Sequence, residues 1–151
     1  MPPTRVLFVC LGNSCRSPMA EAIARHLAPD LIEASSAGLT ALGYVAQPTH
    51  AVLKENGVAS HDLVSKPLRT IDPSKFDLVI NLAGRPIEKL LEGRALPVED
   101  WEVGDPFGSD LEVYRRIFDE IERRIRALIA RLRAVEKSAG RDWKPRLSDS
   151  L

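Results

Sequence analysis

Short apolar runs alternate with segments of helical periodicity along this chain, and that alternation restricts its fold more than any other feature. Residues 5–10 (RVLFVC) are a strand-type run whose buried part is residues 6–9. Residues 18–28 follow as a helix with apolar positions at Met19, Ile23 and Leu27, and residues 31–35 predict a second strand, closed by Ala37-Gly38. A helix is expected over residues 48–56, with Gly57 suited to its C-terminal cap. The compact run FDLVINL predicts a strand over residues 76–82, then residues 86–91 a short helix and residues 95–98 the last strand. Finally, residues 110–137 form a long amphipathic helix, capped by Asp110, with an apolar stripe of Ile117, Ile121, Ile125, Leu128, Leu132 and Val135. Such an order builds right-handed βαβ units. The expected fold is therefore α/β: a single-domain three-layer α/β/α arrangement with a four-stranded parallel sheet, helices on both faces and a long C-terminal helix. The domain is expected to span residues 1–137, leaving 138–151 as a flexible tail.

Composition narrows the function. With 151 residues, 21 basic against 21 acidic groups and a sequence pI near 6.8, the chain carries no basic or acidic excess that would recruit nucleic acid or a membrane surface. Apolar stretches stay far below the ~20 residues of a membrane helix. Two cysteines, five positions apart and beside an arginine, make a poor disulfide framework. A reduced, cytoplasmic setting with a reactive thiol is the expectation.

The loop that follows the first strand carries the chemistry. In open parallel sheets ligands bind beyond the carboxyl ends of strands, and Cys10 ends this one. Between Cys10 and Arg16 lie Leu11, Gly12, Asn13, Ser14 and Cys15, and after them come Ser17 as the expected N-cap and Pro18 at the first helical position. Backbone N–H groups of residues 11–17, gathered at the positive end of a helix dipole, make an anion site. A nucleophilic cysteine needs such an electropositive cage. Gly12 permits close backbone approach, Asn13 tolerates the left-handed geometry that a nest of amides requires, and Arg16 offers a bidentate fork for phosphoryl oxygens. A Ser17 hydroxyl placed to donate to the sulfur would assist. The missing Gly-Lys-Ser/Thr excludes a P-loop nucleotide site, and the glycine spacing excludes a dinucleotide fingerprint. Cys10, Cys15 and His26 match no standard zinc spacing, so no metal is expected.

The stretch VCLGNSCRSPMAEA resembles the active-site signature of the low-molecular-weight protein tyrosine phosphatase superfamily, which also contains arsenate reductases. Ser36-Ala37-Gly38, FDLVINLA and Asp105-Pro106 follow in that family's order, so the resemblance spans roughly residues 4–136. It implies a four-stranded parallel sheet, no cofactor, a phosphorylated protein as partner, and a monomer or weak dimer. It also implies catalytic roles for Cys10 as nucleophile, Arg16 as phosphoryl clamp and Asp105 as general acid and later base. Substrate contacts would come from Leu11, Gly12, Asn13, Ser14, Cys15, Ser17, Tyr44 and Phe107. Cys15 is either a small buried side chain or, as in related phosphatases, a partner that shields the nucleophile through a disulfide. A histidine such as His61 could orient a serine or Asn13.

Two departures bear on substrate. Phe107-Gly108 replaces the paired tyrosines of many eukaryotic members, and Ser14 is small and polar where many tyrosine-specific members are apolar. Relatives that hydrolyse phosphoarginine, and arsenate reductases, have a small hydroxyl residue there. The expected activity is thus a protein phosphatase acting on phosphotyrosine, with phosphoarginine as the variant and arsenate reduction as the alternative. Thioredoxin-coupled reductases use further cysteines after the third strand, and residues 81–92 contain none. A reductase would need an external thiol.

Overall fold

A computed structural model describes residues 2–91 and 96–142. Its strands are β1 (Thr4–Cys10), β2 (Ile32–Gly38), β3 (Leu78–Asn81) and β4 (Val98–Asp100); its helices are α1 (Arg16–Leu27), α2 (Gln47–Glu55) and α3 (Leu111–Asp142). The strands form one parallel sheet in the order β2-β1-β3-β4. The chain leaves β1 for one neighbour and returns to the other side for β3, so the sheet's topological switch point lies at the carboxyl end of β1, where Cys10 sits.

Alternation along β1 divides the core. Val6, Phe8 and Cys10 face a large cluster that includes Met19, Ile23, Val52, Leu53, Tyr114, Phe118, Ile121 and Ile125 from the three helices. Leu7 and Val9 face a smaller cluster with Val79, Leu68, Ile87 and Leu91. The expected architecture, a four-stranded parallel sheet between two layers with a long C-terminal helix, is what forms. On the second face, however, where helices are expected, the covering layer among the described residues comes from three 3-10 turns, Leu68–Thr70, Pro73–Lys75 and Glu88–Leu91, the last in place of the short helix expected over residues 86–91. Prolines at 67, 73 and 86 punctuate that stretch and keep each turn short.

Several boundaries move for identifiable reasons. Helix α1 begins at Arg16, with Cys15 at the N-cap, two residues before the expected start. Ser17 does not cap it because its hydroxyl is engaged by Cys10 and Asn13. Pro18 is tolerated in the first turn, where its missing N–H has no intrahelical partner to lose. β4 begins at Val98, after Pro97, which has no N–H for the ladder but accepts from Val79 N–H through its carbonyl (2.9 Å). Ala95, in the expected strand, lies outside the described residues. α3 continues to Asp142, five residues past the expected end, and residues 143–151 of the expected tail lie outside the described residues. Val135 is 63% exposed and drops out of the apolar stripe, because the helix there has run beyond the body it packs on. Asp110 does cap α3, its carboxylate accepting from Val113 N–H (3.2 Å), and Gly57 follows α2 with φ +70°. Among the described residues no helix is long and apolar enough to cross a membrane.

Candidate active site

The loop between β1 and α1 is turned inside out relative to ordinary backbone. Its carbonyls point away from the pocket into the segment that follows β2. Leu39 N–H donates to the Cys10 carbonyl (3.0 Å), Thr40 to Leu11 (2.8 Å), Leu42 to Gly12 (3.0 Å) and Ala46 to Ser14 (3.1 Å). The Thr49 hydroxyl adds a second bond to the Ser14 carbonyl (2.9 Å). By contrast, among the described residues none of the N–H groups of residues 11–15 donates to a protein acceptor, and the start of α1 has no side-chain cap. Buried backbone donors are rarely left unpaired, so a run of them at a helix N-terminus is an anion cradle.

Asn13 supplies the turn. Its φ is +47°, the one positive φ among the described non-glycine residues, as the nest requires. The side chain is buried beneath the loop: Oδ1 accepts from Lys66 N–H (2.8 Å), and Nδ2 donates to Ser17 (2.8 Å) and Ser36 (3.0 Å). Gly12 also has a steric consequence at the rim. A Cβ there would meet the end of the Leu42 side chain at 3.1 Å, so its small size admits Leu42 to the rim.

A pocket of about 260 Å³ opens over the cradle, lined by Cys10, Leu11, Gly12, Ser14, Cys15 and Arg16 on the loop, by Thr40 and Leu42 beside it, and by Asp105 and Phe107 across from it. Cys10 is buried, with Sγ 2.9 Å from Ser17 Oγ. Arg16 is buried too. One terminal nitrogen donates to the carbonyls of Leu82 (2.6 Å) and Val103 (3.1 Å), just past β3 and β4, while the other lies 3.4 Å from Asp105. Arg16 Nε has no partner, and neither has Ser14 Oγ. These are the two buried side-chain polar atoms without a hydrogen bond among the described residues, and both belong to residues that line this pocket. Leaving either atom unpaired costs on the order of 1–3 kcal/mol.

Asp105 holds its own turn with one carboxylate oxygen and faces Arg16 with the other. Oδ1 accepts from Phe107 N–H (3.1 Å), closing a turn completed by Ser109 N–H on the Pro106 carbonyl (2.8 Å). Oδ2 faces Arg16, and the half-exposed carboxylate lines the pocket mouth. Gly108, at φ +81°, allows that turn.

Not every expected residue lines the pocket. Asn13 and Ser17 support it from behind, and Tyr44 stands 54% exposed outside the wall, where Thr40 and Leu42 of the same segment take the inner positions. His61 is exposed and is not a partner of Asn13; the polar chain there runs through Ser36 to Glu21. Glu21 could have been noticed as the single carboxylate within the apolar stretch PMAEAIA. Tyr114 gave no such signal. Its hydroxyl lies 3.3 Å from Cys15 Sγ, deep below the loop. Burial raises the Cys15 thiol above its ordinary range, a shift that hydrogen bonding to Tyr114 only partly offsets. Burial, and then the same bond, push the Tyr114 phenol well above its own ordinary value.

Fold and pocket together define an α/β protein with a cysteine and an arginine set in a loop of unpaired amides at a sheet switch point. The chain belongs to the low molecular weight phosphotyrosine protein phosphatase family, whose model matches residues 5–138. It is 34% identical over 129 residues to the glutaredoxin arsenate reductase of Synechocystis sp., covering 85% of this chain and 98% of that one. To the protein-arginine-phosphatase of Geobacillus stearothermophilus it is 34% identical over 143 residues, covering 86% and 97%. The crystal structure of the low molecular weight protein tyrosine phosphatase from T. tengcongensis superposes with a TM-score of 0.77 at 34% identity, covering 85% of this chain and 99% of that one.

Proposed function

We propose that this protein is a cytoplasmic protein phosphatase that removes phosphoryl groups from phosphotyrosine, with phosphoarginine as the variant substrate, through a phosphocysteine formed at Cys10. The carrying observation is the convergence of unpaired donors on one pocket: the amides of residues 11–15, Ser14 Oγ and Arg16 Nε. A tetrahedral dianion whose oxygens accept from all of them satisfies the loop in one step. With one terminal nitrogen of Arg16 tied to Leu82 and Val103, its remaining edge is the one that grips two phosphoryl oxygens.

The reaction then runs in two displacements. Cys10 Sγ attacks phosphorus in line, the bond from phosphorus to the leaving oxygen (or guanidino nitrogen) breaks, and Asp105 gives the leaving atom its proton. Water next attacks the phosphocysteine, Asp105 takes the proton of that water, and inorganic phosphate departs as the S–P bond breaks. Ser17 donates to the sulfur as it leaves. The amides and Arg16 hold the equatorial oxygens throughout, so the charge of the transferring group meets donors fixed before the reaction starts. Leu42 and Phe107 line the mouth, with Tyr44 beyond them, and offer apolar surface to a substrate side chain.

Arsenate reduction is the second reading, supported by the arsenate reductase relative. The chain has two cysteines, both in the loop, so electrons for that reaction would come from an external thiol. One side-by-side assay decides: hydrolysis of phosphotyrosine and phosphoarginine peptides by wild type and Cys10→Ser, with arsenate reduction by glutaredoxin and glutathione measured in parallel. Hydrolysis abolished by Cys10→Ser is expected. Turnover that survives the substitution removes the mechanism, and arsenate reduction without phosphatase turnover selects the second reading.

A further inference from the structure

Behind the loop, facing away from the pocket, a chain of hydrogen bonds leads from the Cys10 sulfur to a buried carboxylate. Cys10 Sγ meets Ser17 Oγ at 2.9 Å; Asn13 Nδ2 donates to Ser17 (2.8 Å) and to Ser36 (3.0 Å); and Ser36 Oγ donates to Glu21 Oε1 (2.5 Å). The other Glu21 oxygen pairs with Arg25 (2.7 Å), which reaches out to Asp62 (3.1 Å). The Glu21 side chain is only 3% exposed. Burying a carboxylate is costly, and packing alone would be served better by an apolar residue. The charge therefore calls for a use.

Proton counting supplies one. Lys66 N–H can only donate, so from one end it favours the Asn13 amide with Oδ1 toward Lys66 and both Nδ2 protons toward the two serines. Glu21, paired with Arg25, can only accept, so Ser36 must spend its single proton on Glu21 and receive one from Asn13. Ser17, already accepting from Asn13, keeps its own proton for Cys10 Sγ, since the Ala37 carbonyl at 3.4 Å is the poorer acceptor. The competing arrangement flips the Asn13 amide and turns both serine protons onto Oδ1, away from the sulfur. That flip gives up the Lys66 bond at one end, and at the other Glu21 opposes it by holding the Ser36 proton.

We propose that Glu21 is a positioning residue for the nucleophile: it fixes the direction of this hydrogen-bond chain so that the Ser17 proton points at the Cys10 sulfur. The proposal rests on Cys10 being the nucleophile.

Glu21→Gln tests it with little change of shape. The Gln oxygen turns to Arg25, its NH₂ is forced toward Ser36, and the Ser36 proton is released toward Asn13, which favours the flipped chain. Losing a donor to a charged sulfur is worth about one order of magnitude. Alkylation of Cys10 by iodoacetate near pH 6.5, with the site located by peptide fragmentation, is expected to slow about tenfold. The ultraviolet thiolate band, read against Cys10→Ser, is expected to weaken. KM for an aryl phosphate and inhibition by inorganic phosphate stay within about twofold, since the cradle's donors are untouched, while kcat falls with alkylation. A merely structural role would move KM and phosphate affinity as well. A folded Glu21→Gln protein that alkylates at the wild-type rate overturns the proposal. Should that variant not fold, Ser36→Ala carries the test: alkylation is expected to slow several-fold, and a wild-type rate overturns it. Failure of the underlying reading looks different, because Cys10→Ser would then hydrolyse aryl phosphate as well as wild type.

Discussion

Gly38→Ala is the sharpest probe of the cradle, because Gly38 touches it through backbone atoms. Gly38 ends β2 beside Cys10, and a Cβ built there lies 2.8 Å from Asn13 N, 2.9 Å from Asn13 Cβ and 2.9 Å from the Leu11 oxygen. The closest of these is about 0.6 Å short of the 3.4 Å at which ordinary contact begins. No flexible side chain is available to yield, so the loop itself must retreat. Asn13 resists, held at φ +47° and tied to Lys66, Ser17 and Ser36. Overpacking of this kind costs about 1–3 kcal/mol of stability, or several degrees of melting temperature for a domain this size. Activity should suffer more. Moving amide donors by a large fraction of an ångström costs about a hundredfold in kcat/KM, equivalent to about 2.7 kcal/mol of transition-state binding. The measurement is kcat/KM on an aryl phosphate beside a thermal melt, with Gly57→Ala as the contrast. Gly57 sits at φ +70° with open space around its Cα, so alanine there strains the backbone by about 1 kcal/mol and leaves kcat/KM alone. If Gly38→Ala keeps kcat/KM within about threefold of wild type, the reasoning about the loop's rigidity is refuted.

Two further outcomes follow from the charged groups. Asp105→Asn should slow hydrolysis of aryl phosphates with poor leaving groups by about 10²–10⁴-fold, as loss of a general acid does, and slow good leaving groups far less; equal losses across a leaving-group series would contradict the acid assignment. At the amino ends of the two central strands, Arg5 holds the Asp77 carboxyl below its ordinary range, first through the side-chain hydrogen bond and then through Arg5 N–H, which joins the start of β1 to β3. A depressed folded-state value means the stabilisation is complete above the unfolded aspartate value of about 3.9 and is lost as pH falls through the folded one. Because both side chains are nearly half exposed, Asp77→Asn should cost no more than about 1 kcal/mol at pH 7. Urea melts at pH 7 and near pH 2 check the sign: the gap between variant and wild type closes in acid, and a gap that persists there would show that the pair's charge is not its source.

What could be read in advance was local. The apolar run of β1, the left-handed Asn13, the Asp110 cap and the glycine after α2 each depend on a few neighbouring residues, and each forms as expected. The start of α1 is not local: Ser17 is an ordinary N-cap residue by type, and only its contacts with Cys10 and Asn13 divert it from that use. The second covering layer differs in kind: residues 86–91 carry a helical spacing, but only the four residues Glu88–Leu91, just after Pro86, wind, and they do so as a 3-10 turn. Tyr114 and Cys15 are 99 positions apart, and no periodicity announces such a meeting.

The same distinction explains why the site is legible at its centre and not at its edge. Its donors are backbone amides, which every residue but proline possesses, so nothing in residues 11–15 except Gly12 and Asn13 announces their orientation. What turns them inward is the outward capture of their carbonyls by the amides of Leu39, Thr40, Leu42 and Ala46, again backbone groups without a side-chain signature. A segment that acts through its main chain can change its side chains freely while keeping the cradle open. Residues 39–46 are then under two separate demands: their backbone holds the loop, while the side chains of Thr40 and Leu42 are left to shape the mouth. Side chains at the mouth can thus be replaced without disturbing the main-chain donors beneath them, so a change of substrate preference at Thr40 or Leu42 need not cost the cradle its anion affinity.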